Sequence, residues 1–96
     1  MEPHIWPFSD PENCAVFATH EVMVRKEPIL LVTHDNGEDS WSFIGSSEGT
    51  LENCRIISLR EAVALDPSIS QLADLPVGWR AIRRSANGVW KRERQF

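Results

Sequence analysis

The sequence lacks the short motifs that mark most enzymes and cofactor-binding proteins. It has no glycine-rich phosphate loop, no nucleophile elbow and no pair of cysteines at the spacing typical of zinc sites. Cys14 and Cys54 are its only cysteines, and they lie far apart. We therefore expect free thiols packed as small hydrophobes, and we predict no catalytic residues, no metal and no cofactor.

Long hydrophobic runs are also absent. No apolar run approaches the roughly 20 residues that a membrane-spanning helix needs. Residues 1–4 lack the basic residues and the apolar stretch of a secretion signal. The expectation is a protein of the cytoplasm with no membrane partner.

Tyrosine is missing, so four tryptophans and four phenylalanines make up the whole aromatic set. Each tryptophan can bury about 200 Å², which makes these side chains important in a chain of 96 residues. That length suits one domain. We predict a proline-rich N-terminal arm over residues 1–13 and a single α+β domain over residues 14–96.

Charge is distributed unevenly along the chain. Residues 1–54 carry ten acidic and two basic side chains, whereas residues 55–96 carry four acidic and eight basic ones. Either the charges are mixed on the folded surface, or the molecule has one acidic and one basic face. The second arrangement would steer a charged protein partner or a second copy of the chain.

Strand patterns fill the first half of the domain. Residues 14–24 favour β structure, and residues 29–34 form a strongly apolar strand. Residues 40–45 place Trp41 and Phe43 on one face by alternation of side chains.

Polar turns separate these strands. The first, at residues 25–28, predicts a hairpin in which Thr19 pairs with His34. The second contains Asn36 and Gly37, a dipeptide typical of tight hairpins. Together they predict an antiparallel meander.

Two short helices follow. Ser58 and Glu61 match the capping box that begins a helix, and Pro67 ends it. Asp66 can cap a second helix with Pro67 at its first position, and Gly78 lies beyond its end.

The remaining segments complete a β-β-β-α-α-β-β pattern. Residues 55–57 form either a short strand or the lead-in to the first helix. Residues 79–84 and 89–92 form a last hairpin around Asn87 and Gly88. The fold class is therefore α+β, an antiparallel sheet of about five strands with two short helices packed on one face.

Residues with catalytic or metal-binding chemistry are scattered. None occurs in the context of a known nucleophile or ligand motif. The sequence therefore favours a non-enzymatic protein, and a small enzyme or ligand-binding domain with a pocket between sheet and helices stays the alternative. The candidates weighed are His4, Cys14, His20, His34 and Cys54.

The last hairpin combines basic residues with tryptophans. Such interleaving serves single-stranded nucleic acid in some proteins, but a net charge of −4 argues against that partner here. The register is open, because Trp90 could pair with Ser85 or with Ile82. We predict a protein-binding surface formed by Arg80, Arg83, Arg84, Lys91, Arg92 and Arg94.

Several segments occur in a recognisable order: residues 14–15, the strand ending near His34, and residues 39–43, 58–59, 66–69 and 75–78. This order resembles small bacterial domains of unknown function that are related to proposed immunity proteins of polymorphic toxin systems. The resemblance covers most of residues 14–92. It implies a stand-alone bacterial binding protein, such as one that occludes a toxin's active site by charge complementarity. A structural homodimer that exchanges the N-terminal arm, with Trp6 and Phe8, is a further alternative.

Overall fold

The fold is known from a computed structural model, in which the structure describes residues 6–20, 22, 27–35, 40–45 and 54–95. The elements whose bounds are given are six β-strands, an α-helix and a 3₁₀ helix; His20 and Val22 are also helical. Among the described residues, no helix is long and apolar enough to cross a membrane. In chain order the elements are β1 (Ala15–Thr19), β2 (Leu31–Asp35), β3 (Ser40–Ile44), β4 (Cys54–Ser58), α1 (Leu59–Leu65), the 3₁₀ helix (Pro67–Leu72), β5 (Trp79–Ile82) and β6 (Lys91–Arg94).

The strands form one mixed sheet in the order β4-β1-β3-β2-β5-β6. The predicted α+β class is confirmed, but the predicted count of five strands is one too low. The additional strand is β4, which pairs antiparallel with β1. A purely antiparallel sheet is also wrong, because β1 and β3 run parallel.

The predicted meander is correct in its second hairpin and wrong in its first. β2 and β3 pair antiparallel from Leu31 opposite Ile44 to Asp35 opposite Ser40, and the Asn-Gly turn between them lies outside the described residues. Thr19, however, pairs with Cys54 in β4 and not with a residue of β2. Hairpin loops are usually about two to five residues long. β3 lies between β1 and β2 in the sheet, and Thr19 at the end of β1 is twelve positions before Leu31 at the start of β2, so no tight hairpin joins these two strands.

Side-chain alternation gives the sheet one face that packs against both helices. On that face Trp41 and Phe43 are buried together, as predicted, with their ring planes 2° from parallel and their centroids 6.1 Å apart. The helices contribute Leu59, Ala62, Ile69 and Leu72 to the same core. Each of these side chains is almost wholly removed from water, which is the main favourable term in folding.

The described part of the N-terminal arm packs against its own domain. Phe8 is buried, and its ring meets Trp41 edge-on with 5.4 Å between centroids. The indole Nε1 of Trp41 donates a hydrogen bond of 2.8 Å to Asp10 Oδ2, and Trp6 Nε1 donates one of 2.6 Å to the Asp10 carbonyl. The aromatic residues of the arm are thus part of the core.

Local capping signals position the helices. The Glu61 amide donates to Ser58 Oγ at 3.1 Å and the Ser58 amide donates to Glu61 Oε1 at 3.3 Å, so the predicted capping box is present. Asp66 Oδ1 accepts from the Ser68 amide at 3.1 Å, with Pro67 in the first turn. The second helix is a 3₁₀ helix, and Gly78 has a φ of 87° before β5 begins.

The last hairpin has a register that matches neither predicted alternative. Ile82 pairs with Lys91, and Trp90 lies in the loop of residues 83–90 and not in β6. Within this loop the Gly88 amide donates to the Ser85 carbonyl at 2.9 Å. The loop is longer than a tight Asn-Gly turn because its first residue, Arg83, is drawn into the protein interior.

The guanidinium of Arg83 joins three parts of the chain. Its side chain is 2% exposed and forms a 2.6 Å ion pair from Nη2 to Asp66 Oδ2. Nη1 donates to Ser68 Oγ at 2.9 Å and to the Ala86 carbonyl at 3.0 Å, while Nε donates to the Ile29 carbonyl at 2.8 Å. These bonds fix the hairpin loop against the start of the 3₁₀ helix and the entry to β2.

Trp90 covers this buried charge. The Arg83 Cζ atom lies 4.2 Å from the centroid of the Trp90 ring, a distance that permits a cation–π interaction. The Trp90 side chain packs in turn against the core, so the planar guanidinium is sandwiched between polar partners and an aromatic face.

Replacing Arg83 with Ala should lower the free energy of unfolding by about 3–5 kcal/mol, because Asp66 would keep a largely buried charge without its partner. Arg83→Lys should also be clearly destabilising, since a lysine cannot reproduce the fork of donors that reaches Asp66, Ser68 and Ile29. Urea unfolding monitored by tryptophan fluorescence measures both effects.

Arg84→Ala is the matched control, because the neighbouring arginine is exposed and should change stability by less than about 0.5 kcal/mol. Equal stabilities of the Arg83→Ala and Arg84→Ala variants would contradict the structural role of Arg83.

Candidate functional site

The six basic residues predicted to bind a partner, called here the hairpin cations, divide into groups with different surroundings. Arg83 is buried within the fold, so its guanidinium is not available at the surface. Arg80 is partly exposed, and its Nε and Nη2 both lie 2.7 Å from Glu93 Oε1 across the β5–β6 pair. The positive charge of Arg80 is therefore balanced locally by Glu93.

Arg92 reaches from β6 to the end of the 3₁₀ helix. Its Nη2 lies 2.8 Å from Asp74 Oδ1 and donates a hydrogen bond of 2.8 Å to the Gln71 carbonyl. The hydrogen bond from Arg92 lowers the pKa of Asp74 from its ordinary value of 3.8. Because this carboxylate is well exposed, water screens the pair, whose main effect is to orient Arg92.

Arg84, Lys91 and Arg94 form the remaining group. All three are exposed, and none has an ion pair or side-chain hydrogen bond to the part of the chain that the structure describes. Their charges are therefore free to interact with an acidic partner. The structure brings Arg84 and Lys91 to one cleft, while Arg94 lies at the far end of β6.

The cleft lies between the loop of residues 83–90 and the adjoining strands, and has a volume of about 480 Å³. Val89 is 91% exposed and Ile82 is 36% exposed, so apolar surface borders the cations. The lining residues are Ile82, Arg83, Arg84, Gly88, Val89, Lys91 and Glu93.

The chemistry of this cleft suits an anionic group attached to an apolar one. Arg84 and Lys91 offer unpaired cations, whereas the carboxylate of Glu93 is already balanced by Arg80. Carboxylates of a partner would gain charge-assisted hydrogen bonds from the two cations. An adjacent apolar side chain would cover Ile82 and Val89, which are otherwise exposed to water.

The other residues weighed from the sequence do not converge. Cys14 and Cys54 form no disulfide with each other. The His34 Nδ1–H donates to the Leu75 carbonyl at 2.7 Å, and its ring stacks on Trp41 with 3.9 Å between centroids. Among the described residues, no group of three or more His, Cys, Asp or Glu side chains could hold a metal ion. His4 lies outside the described residues.

The layer between sheet and helices is filled with side chains where the structure describes it. Val32, Phe43 and Ala81 of the sheet are wholly buried there, as are Leu59 and Ile69 of the helices. The cleft at the hairpin lies outside this layer. The geometry thus gives a filled core at the position where the alternative hypothesis required a ligand pocket.

The distribution of roles among the hairpin cations was not predicted from the sequence. Arg83 and Arg84 are adjacent and chemically identical, but side-chain alternation continued from β5 places Arg83 on the buried face with Ala81 and Arg84 on the exposed face with Ile82. This alternation is the sequence signal that would have separated them. The contribution of Ile82 and Val89 to the cleft was also missed. A correct hairpin register would have indicated it, because that register leaves residues 83–90 as a loop.

Comparison with known proteins adds no relative: no protein-family model, no curated protein and no solved structure is found that matches this chain. The resemblance to immunity proteins therefore stays a prediction.

Proposed function

We propose that this protein is a non-enzymatic binding module whose C-terminal hairpin binds an acidic surface of a protein partner. The observation that carries the proposal is the pair of unpaired cations, Arg84 and Lys91, beside exposed Ile82 and Val89 at one cleft. The proposal removes Arg83 from the six residues of the predicted surface, because this arginine is buried and contributes to stability.

The composition of the cleft supports a protein partner. Protein interfaces combine an apolar centre that excludes water with polar groups around it, and arginine is enriched among their energetically important residues. Ile82 and Val89 can supply the apolar contact, with Arg84 and Lys91 at its border. A free inorganic anion would use the cations and leave the apolar side chains exposed.

Rigidity of the hairpin also favours binding. The loop of residues 83–90 is held at its first residue by the buried Arg83 and near its end by Trp90, which packs against the core. Side chains presented by a rigid loop lose less conformational entropy when a partner binds. Arg84 and Val89 both lie between or beside these fixed points.

The charge of the whole chain supports selection among partners. The chain is acidic overall, with a net charge of −4, while the exposed face of the hairpin is basic. An acidic partner would be repelled by most of this surface and attracted by the hairpin. This difference orients the partner as it approaches and raises the association rate. If the protein is an immunity protein, as the resemblance implies, that partner is a toxin.

The filled core supports this proposal over the enzyme alternative. Catalytic and ligand sites are usually concave and contain converging polar groups. The layer between sheet and helices holds apolar side chains in the described region, and His34 there is stacked on Trp41. The arm-exchanged homodimer is supported less, because Trp6 and Phe8 make aromatic contacts within a single chain and need no second copy to cover them.

Reversing charge at the cleft should abolish partner binding. With the protein immobilised, a partner captured from the native lysate and identified by mass spectrometry should be lost from the Arg84→Glu/Lys91→Glu variant. The two new carboxylates would repel an acidic surface, and stability should change by less than about 1 kcal/mol because both positions are exposed.

The matched control is Arg55→Glu/Arg60→Glu, which makes the same change of charge at exposed positions on β4 and α1, at the opposite edge of the sheet. It should retain the partner. Equal capture by the wild-type protein and both variants, or equal loss from both variants, would contradict the proposal.

A further inference from the structure

Within the residues that the structure describes, β6 is the last strand of the sheet, and its outer edge offers unpaired main-chain groups. The Gln95 amide donates to the Gly78 carbonyl at 2.8 Å, and hydrogen-bonded pairs alternate along an antiparallel ladder. With Ile82 opposite Lys91, the main-chain groups of Lys91 and Glu93 therefore point toward β5. Those of Arg92 and Arg94 point away from the sheet, because β6 is its last strand.

The charges along this edge would favour some partner strands over others. Arg92 and Glu93 are each paired with a residue of this chain, Asp74 and Arg80 respectively. Lys91 and Arg94 remain unpaired, three residues apart and hence on opposite faces of the strand. A charged edge strand resists pairing with apolar or basic strands. The same charges favour a strand that carries acidic side chains at the corresponding spacing.

The opposite edge of the sheet is less open to a strand. The Ser58 amide of β4 already donates to Glu61 Oε1 in the capping box. β4 also presents Ile56, which is 69% exposed, next to the exposed basic side chain of Arg55. β6, in contrast, joins free main-chain groups to the two unpaired cations.

We propose that β6 accepts an extended acidic segment of a partner protein as an additional strand of the sheet. This inference rests on the proposed function, since it specifies how the hairpin engages its partner. Main-chain hydrogen bonds to Arg92 and Arg94 provide affinity for any extended chain, and acidic side chains opposite Lys91 and Arg94 provide selectivity. Lys91 is common to the edge and the cleft, so one partner can occupy both.

A second copy of this chain is a poor occupant of the same edge. In the antiparallel register that pairs the outward main-chain groups of both Arg92 and Arg94, Arg92 of each copy would lie opposite Arg94 of the other, and Glu93 opposite Glu93. Like charges directly opposite one another destabilise a strand pair. The occupant is therefore a segment of opposite charge.

A synthetic peptide tests this mode. The probe is a short, capped peptide of valine and threonine with two glutamates three positions apart. On binding to the wild-type protein, it should slow the hydrogen exchange of the Arg92 and Arg94 amides measured by NMR. A matched peptide with N-methyl groups on alternate amides keeps its charges but should bind at least about tenfold more weakly, because two main-chain hydrogen bonds are lost.

Variants of Arg94 separate main-chain pairing from charge. Arg94→Ala removes only the side chain, whereas Arg94→Pro also removes the outward amide while leaving the ladder to β5 in place. The proline variant should bind the peptide several-fold more weakly than the alanine variant. If the proline variant does not fold, the exchange measurement on the wild-type protein decides alone.

Absence of peptide binding, or binding without protection of the Arg92 and Arg94 amides, would overturn strand addition. Equal affinities of the plain and N-methylated peptides would overturn it as well. Any of these outcomes would leave the proposed function standing, because that depends on capture of a partner through Arg84 and Lys91. If charge reversal at Arg84 and Lys91 did not reduce partner capture, but the peptide still protected the Arg92 and Arg94 amides, the proposed role of the cleft would be refuted. Strand addition at β6 would then stand.

Discussion

The buried charge of Arg83 is the constraint on which the hairpin depends. A guanidinium removed from water is costly unless its donors are matched with acceptors. Here four donor contacts are made, to Asp66, Ser68, Ile29 and Ala86. Those acceptors belong to distant parts of the sequence, so satisfying one side chain fixes the relative positions of the 3₁₀ helix, the entry to β2 and the hairpin loop.

The burial of Arg83 affects which of the following loop residues are exposed to solvent. Because Arg83 turns toward the core after β5, the chain needs eight loop residues before β6 begins. Arg84 and Val89 then project from a loop that is fixed near both ends, and Lys91 begins the edge strand. Under the proposed function, stability and recognition would thus be divided between two adjacent arginines, Arg83 and Arg84.

Local signals in the sequence predicted the parts of the fold that depend on local interactions. The Ser58 and Glu61 capping box, the Asp66 cap and the shared face of Trp41 and Phe43 each depend on residues within three positions. The parallel β1–β3 pair and the partners of the buried Arg83 side chain depend on contacts between distant segments, which no local motif encodes. The candidate surface was therefore predicted from composition, without separating its buried member, Arg83, from the exposed ones.

The edge strand shows how one sequence feature can serve two physical requirements. An unpaired outer strand invites indiscriminate association, and charged side chains are a general means of preventing it. In β6 two of the four charges are neutralised within the chain, by Arg80 and Asp74, which leaves a sparse pattern of positive charge and not a uniform one. A uniform basic strand would attract any polyanion. If β6 accepts a strand as proposed, a sparse pattern would restrict pairing to a strand whose carboxylates match Lys91 and Arg94, and the protection against aggregation would then become a basis for specificity.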